Sequence, residues 1–83
     1  MVIEVFVRPK KGVPNPEVQV LAAAMAAHGY PVTQATKGKY FRVTVPDELD
    51  RDKAKAMVEE VSTKLLANPV IEEFEVVMPP SQQ

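Results

Sequence analysis

The sequence predicts an α+β fold in which a four-stranded antiparallel sheet, in the order βαββαβ, carries two helices on one face. Three observations predict it. Alternating apolar residues give the period of half-buried strands, two longer segments repeat apolar residues at helical spacing, and prolines bound these segments without entering them. The eight prolines stand at 9, 14, 16, 31, 46, 69, 79 and 80. At 83 residues the chain holds one core, and a fold of this size buries only about 60 to 65% of its unfolded surface. It contains no cysteine, so disulfides and thiolate metal sites are excluded. Association is the remaining source of stability, and a chain that is 46% hydrophobic has apolar surface for it.

Val2 to Arg8 is the first strand, with Ile3, Val5 and Val7 on one face and Glu4, Phe6 and Arg8 on the other. Asn15 and Pro16 supply a helix N-cap and a first-turn proline. Val18, Leu21, Ala22 and Met25 then make one helical face, and Gly29 ends the helix. Val20, Ala24 and Ala27 leave its other side almost uncharged, which implies cover on two sides. Val32 to Lys37 and Tyr40 to Val45 flank Gly38 and read as a hairpin whose turn uses glycine for positive φ. From Asp50 to Leu66, Ala54, Met57, Val58, Val61 and Leu65 form a second amphipathic stripe, stopped by Asn68 and Pro69. Val70 to Val77 is the last strand. Residues 1–78 form a single domain, and 79–83 read as a flexible C-terminal tail.

This order is the split βαβ unit of ferredoxin-like two-layer sandwiches. With strand order 4-1-3-2, three loops lie at one edge of the sheet: the loop after strand one, the hairpin turn and the loop before strand four. Lys10, Lys11, Lys37, Gly38, Lys39 and Asn68 are expected to meet there, beside the N-terminus of the first helix and its backbone N–H groups. The charge pattern agrees. Residues 1–45 carry six Lys and Arg against two Glu, and residues 46–83 carry four against nine Asp and Glu.

Candidates for catalysis are few. His28 precedes a helix-ending glycine, where an imidazolium suits the helix dipole. Ser62 and Ser81 have no histidine placed to activate them. Glu72 and Glu73 point to opposite faces of a strand and cannot share a proton, and both this pair and Glu59-Glu60, on a helix, read as solvated charge. One histidine and scattered carboxylates make no metal-ligand spacing, and Gly12, Gly29 and Gly38 are too far apart for a phosphate loop. Lys37-Gly38-Lys39-Tyr40-Phe41 and Val5-Phe6-Val7 partly match the aromatic motifs of an RNA-recognition sheet. The match fails at Lys39, where an aromatic belongs, and acidic residues of the last strand would repel phosphates. A covered face explains the aromatics better: Phe6 and Tyr40, with Ile71 or Phe74, are expected to be buried by another copy of the chain. No secretory signal or membrane span is read, and the expected location is cytoplasmic.

Four motifs carry a family resemblance over nearly the whole chain. They are Pro9-Lys10-Lys11-Gly12-Val13 after the first strand, Gly29-Tyr30 after the first helix, Gly38-Lys39-Tyr40, and Leu65-Leu66-Ala67-Asn68-Pro69-Val70-Ile71-Glu72 before the last strand. In these the sequence resembles the PurS family, the small subunit of phosphoribosylformylglycinamidine synthase. It departs from the family's usual Asp-Pro at Asn15-Pro16. The resemblance implies a non-catalytic accessory subunit in purine biosynthesis that forms a dimer or tetramer. It would bridge a glutaminase subunit and a large ATP-dependent synthetase subunit for ammonia transfer. ATP, Mg and glutamine would be used by the complex, with no cofactor, metal or nucleic acid bound by this subunit. Its docking surface would be Lys10, Lys11, Gly12, Lys37, Gly38, Lys39, Asn68 and Pro69. The alternative from another class is an ACT-like regulatory module, which has the same element order and binds small molecules between subunits.

Overall fold

The computed structural model describes residues 1–80, so the expected tail lies outside the described residues from Ser81 onward. Its elements are β1 (Val2–Pro9), α1 (Pro16–Ala27), β2 (Lys39–Thr44), α2 (Arg51–Val61) and β3 (Glu72–Val77). A π-helical turn, Ser62–Leu66, continues α2. The sheet has three strands in the order β2-β1-β3, antiparallel throughout.

β1 is the central strand because it is the one whose inner face is wholly apolar. Ile3, Val5 and Val7 are buried beneath Ala54, Val58 and Ala67. Directly paired residues share a face, so the register Ile3↔Val43, Val5↔Phe41, Val5↔Val76 and Val7↔Phe74 sets those four partners on the same side. They are only half-buried. α2 therefore seals the middle of the sheet and leaves its flanks partly open.

The expected fourth strand is absent: Val32 to Lys37 joins no ladder. A tight hairpin here would need positive φ in its turn, and among the described residues only Gly12 and Gly29 have it. The chain thus runs through Gly38 without reversing. Gly38 is required for a different reason, because a Cβ there would lie 2.3 Å from the Val7 carbonyl oxygen. The α+β class holds, but the four-stranded ferredoxin-like sandwich with two helices on one face does not. Of the two helices, α2 covers the sheet, while α1 has no more than marginal contact with any other element.

Both helix starts fall where the sequence places them. Asp50 Oδ2 accepts from the Asp52 and Lys53 amides, at 3.2 Å each. Asn15 occupies the N-cap of α1 with extended backbone, but its side chain makes no capping bond. At the far end Gly29, with φ +90°, lets the Tyr30 amide reach the Met25 carbonyl at 3.1 Å, a Schellman closure. The π-helical turn overrides the α2 stripe. Widening the turn shifts the helical phase, so Leu66 and Ala67 face inward and Leu65 is 79% exposed.

Ser62, at the start of that turn, is fully buried and its hydroxyl has no hydrogen-bond partner among the described residues. A buried unpaired hydroxyl costs about 1–3 kcal/mol. Ser62→Ala is therefore expected to hold or raise stability in urea unfolding, by up to about 1 kcal/mol after the small loss of packing. A clear loss of stability would mean that the hydroxyl has a partner in solution.

Candidate functional site

The candidate site is the edge where β1 ends and β2 and β3 begin. The chain crosses this edge three times, so the site is built from loops that are remote in sequence. Lys10 ties the first to the third: its amide donates to the Ile71 carbonyl at 2.9 Å and its ammonium to the Pro69 carbonyl at 2.7 Å. Lys39 ties the second to the third, donating to the Leu66 carbonyl at 3.1 Å and to Glu72 Oε1 at 3.2 Å.

The third crossing is the most tightly bonded. The Asn68 carbonyl accepts from the Ile71 and Glu72 amides at 3.1 and 2.7 Å, and Asn68 Oδ1 accepts from the Val70 amide at 3.1 Å. Glu72 returns the bond, its Oε1 accepting from the Asn68 amide at 2.8 Å. That N–H, aided by the Lys39 ammonium, holds the Glu72 carboxyl below its ordinary value. Proline at 69 suits the turn because it fixes φ.

Four of the eight expected docking residues, Lys10, Lys39, Asn68 and Pro69, therefore come together, and each takes part in bonds that join the loops or shape the third of them. The others lie along the adjoining loop. Lys37 pairs with Glu17 in the first turn of α1 at 3.3 Å, Gly38 lies against Val7, and Gly12 turns the loop with φ +89°. Lys11 is exposed beside it and forms no ion pair among the described residues. A cleft of about 250 Å³ runs between these residues, lined by Lys10, Lys11, Asn15, Thr36 and Lys37 among others.

Sequence reasoning missed two parts of the site. Glu72, read as solvated charge, is its central acceptor and is only 19% exposed. The turn also presents Leu65, Val70 and Ile71 to solvent. Glu72 was recoverable from its place in the Asn68–Glu72 motif, whereas Leu65 was hidden by the change of helical phase.

The open face of the sheet is separate from this edge. Phe6 and Tyr40 lie there with ring centroids 5.1 Å apart, both substantially exposed. The Tyr40 hydroxyl donates to Glu4 Oε2 at 2.6 Å, and this bond, with desolvation and the Glu4 charge, raises the phenol above its ordinary value. The register places Glu73 and Glu75 on this face and Phe74 on the helix side. Ile71 precedes β3, so neither residue extends the aromatic pair as expected. Among the described residues no helix is long and apolar enough to cross a membrane, and no group of three or more His, Cys, Asp or Glu is placed to hold a metal ion.

Residues 2–79 match the sequence profile of PurS, described as phosphoribosylformylglycinamidine (FGAM) synthase. The chain belongs to the PurS family. A relative from Archaeoglobus fulgidus, named phosphoribosylformylglycinamidine synthase subunit PurS, is 32% identical over 93% of this chain and 96% of its own. A relative of the same name from Methanocaldococcus jannaschii is 37% identical over 87% of each chain. The crystal structure of M. jannaschii PurS, one of the subunits of formylglycinamide ribonucleotide amidotransferase in the purine biosynthetic pathway, superposes with a TM-score of 0.82. It is 32% identical and covers 98% of both chains. Bacillus subtilis PurS gives a TM-score of 0.76 at 31% identity, over 92% of this chain and 94% of its own. Residues 10–38 are a third of this chain, so a score of 0.82 requires that the M. jannaschii chain follow a similar course through them.

The Glu72 lock carries a pH signature. Its carboxyl is depressed in the folded state, so its contribution is complete above the ordinary value of about 4.5 and is lost as pH falls through the lower folded value. Glu72→Gln is expected to be less stable than the native sequence at pH 7, with the gap closing below about pH 4.5. Urea unfolding at several pH values checks this, and a gap independent of pH would show that the carboxylate charge contributes nothing.

Proposed function

We propose that the chain is the accessory subunit of phosphoribosylformylglycinamidine synthase that holds a glutaminase subunit and an ATP-dependent synthetase subunit together for ammonia transfer. In this reading it is not catalytic alone. ATP with Mg, and glutamine, are substrates of the partner subunits, and this subunit binds no cofactor. The complex is a carbon–nitrogen ligase of the cytoplasm.

The observation that carries the reading is the interlocked loop edge. A bridging subunit must offer a surface that keeps its shape without a ligand, because affinity is lost when loops must be ordered on binding. Lys10 and Lys39 staple the three loops into such a surface. Internal use of their ammonium groups divides the expected docking residues by role. Lys10, Lys39, Asn68 and Gly38 set the shape, while Lys11, Gly12, Lys37 and Pro69 present it to the partner. The exposed Val70 and Leu65 add apolar contact beside them. Phe6 and Tyr40 on the open sheet face supply a self-contact within a dimer or tetramer.

Purified glutaminase and synthetase subunits are expected to form formylglycinamidine ribonucleotide from glutamine only when this chain is added. Equal activity without it, in a system shown to be competent with a known small subunit, would overturn the reading. Lys11→Glu is expected to weaken capture of a catalytic subunit several-fold while leaving the unfolding midpoint unchanged, since exposed charges contribute little to stability. Lys39→Met is expected to lower the midpoint itself. If both variants assembled normally, the loop edge would not be the docking surface.

A further inference from the structure

The cleft at the loop edge is lined by cations and, among the described residues, by no anion. It lies between the loop after β1 and the segment that leads into β2, has a volume of about 250 Å³, and takes Lys10 and Lys11 from the first and Lys37 from the second. No Asp or Glu joins them in the lining. Like charges gathered round one small space repel one another, and an anion placed among them relieves that repulsion.

The chain itself supplies little neutralisation. Lys10 is held by the Pro69 carbonyl at 2.7 Å, and a neutral acceptor orders an ammonium without cancelling its charge. Lys11 forms no ion pair among the described residues. Lys37 meets Glu17 at 3.3 Å with the two side chains 62% and 75% exposed. So exposed a pair is weak and is readily exchanged for another anion. Three lysines against one glutamate leave a net charge of two. Neutral donors stand beside them. The Asn15 side chain makes no capping bond, and Gln34 and Thr36 line the cleft with an amide and a hydroxyl. The Val13 amide donates to the Lys10 carbonyl at 3.1 Å, closing the turn that carries Lys11.

We propose that this cleft binds a phosphate dianion, either inorganic phosphate or the phosphate end of a small ester. The lysines supply the two compensating charges, and Asn15, Gln34 and Thr36 supply neutral donors to the phosphate oxygens. Pockets for drug-sized ligands measure about 300–1,000 Å³. A cleft below that range suits a phosphate group with few further atoms and is too small for a segment of folded protein. The site does not depend on which enzyme the subunit serves. Lys11 and Lys37 also belong to the surface proposed to meet a catalytic subunit, so the test uses this chain alone, where failure to bind phosphate leaves the docking reading untouched.

Inorganic phosphate is titrated into the ¹⁵N-labelled chain at about pH 8, where it is doubly charged, with chloride holding the ionic strength constant. Saturable NMR shifts are expected at the Lys11, Gly12, Asn15 and Thr36 amides. Lys11→Gln with Lys37→Gln changes only exposed side chains, and is expected to weaken binding roughly tenfold with the rest of the spectrum retained. Glu17→Gln removes the competitor for Lys37 and is expected to tighten binding about threefold. Lys53→Gln with Lys55→Gln, on α2, is expected to leave binding unchanged. Ribose 5-phosphate is titrated in the same way: tighter binding than phosphate assigns the cleft to an ester, and equal or weaker binding assigns it to the free ion. Shifts that rise without saturating, or that persist unchanged in the Lys11→Gln, Lys37→Gln chain, would overturn the proposal. So would shifts produced by a glutamate-rich peptide and not by phosphate, since the occupant would then be an acidic protein segment.

Discussion

The burial of β1 is the constraint on which the rest of this structure depends. Ile3, Val5 and Val7 are almost wholly removed from water, and burying side chains of this kind stabilises a fold by about 1.5–3 kcal/mol each. No other strand is enclosed to this degree. β2 and β3 hold their places by pairing with β1, and α2 holds its place by setting Ala54 and Val58 on it. A core organised around one strand is narrow, so it fixes the middle of the sheet firmly and its flanks weakly. The half-buried state of Phe41, Val43, Phe74 and Val76 follows from that geometry.

The loop edge follows from it too. Because β1 pairs with both neighbours, the end of β1 and the starts of β2 and β3 are brought to one side, and segments far apart in sequence meet there. The bonds that join them are polar and mostly exposed, and individually weak. They are effective because the core has already brought their partners into reach. Lys39 meets Glu72 and the Leu66 carbonyl as a result of the β1 ladders. A lysine in a mobile loop would pay the full entropy of ordering for the same contacts.

Much of this was legible in the sequence, and the remainder was not for identifiable reasons. Period-two alternation located β1, the later part of the chain gave β2 and β3, and Asn15 and Asp50 marked the helix starts. Each of these signals is local. Gly38 shows where local reading stops: glycine permits positive φ but also permits close backbone approach, and only the position of Val7 decides between them. Leu65 shows a second limit, since the π-helical turn that exposes it leaves no mark in a stripe of apolar residues. At the candidate site, residue identities were legible but their employment was not. Lys10 and Lys39 read as free cations because their acceptors, the Pro69 and Leu66 carbonyls and the Glu72 carboxylate, are remote in sequence, and sequence does not display the pairing.

The exposure of α1 has the same origin. A helix with no charge after Glu17 is costly in water, and its intrinsic propensity does not offset that cost, because a twelve-residue helix is marginal without tertiary contact. Either α1 frays or something covers it. Incompleteness of the lone subunit then has a physical cause, since a core built on one strand is too narrow to bury both helices of its own chain without a turn at Gly38.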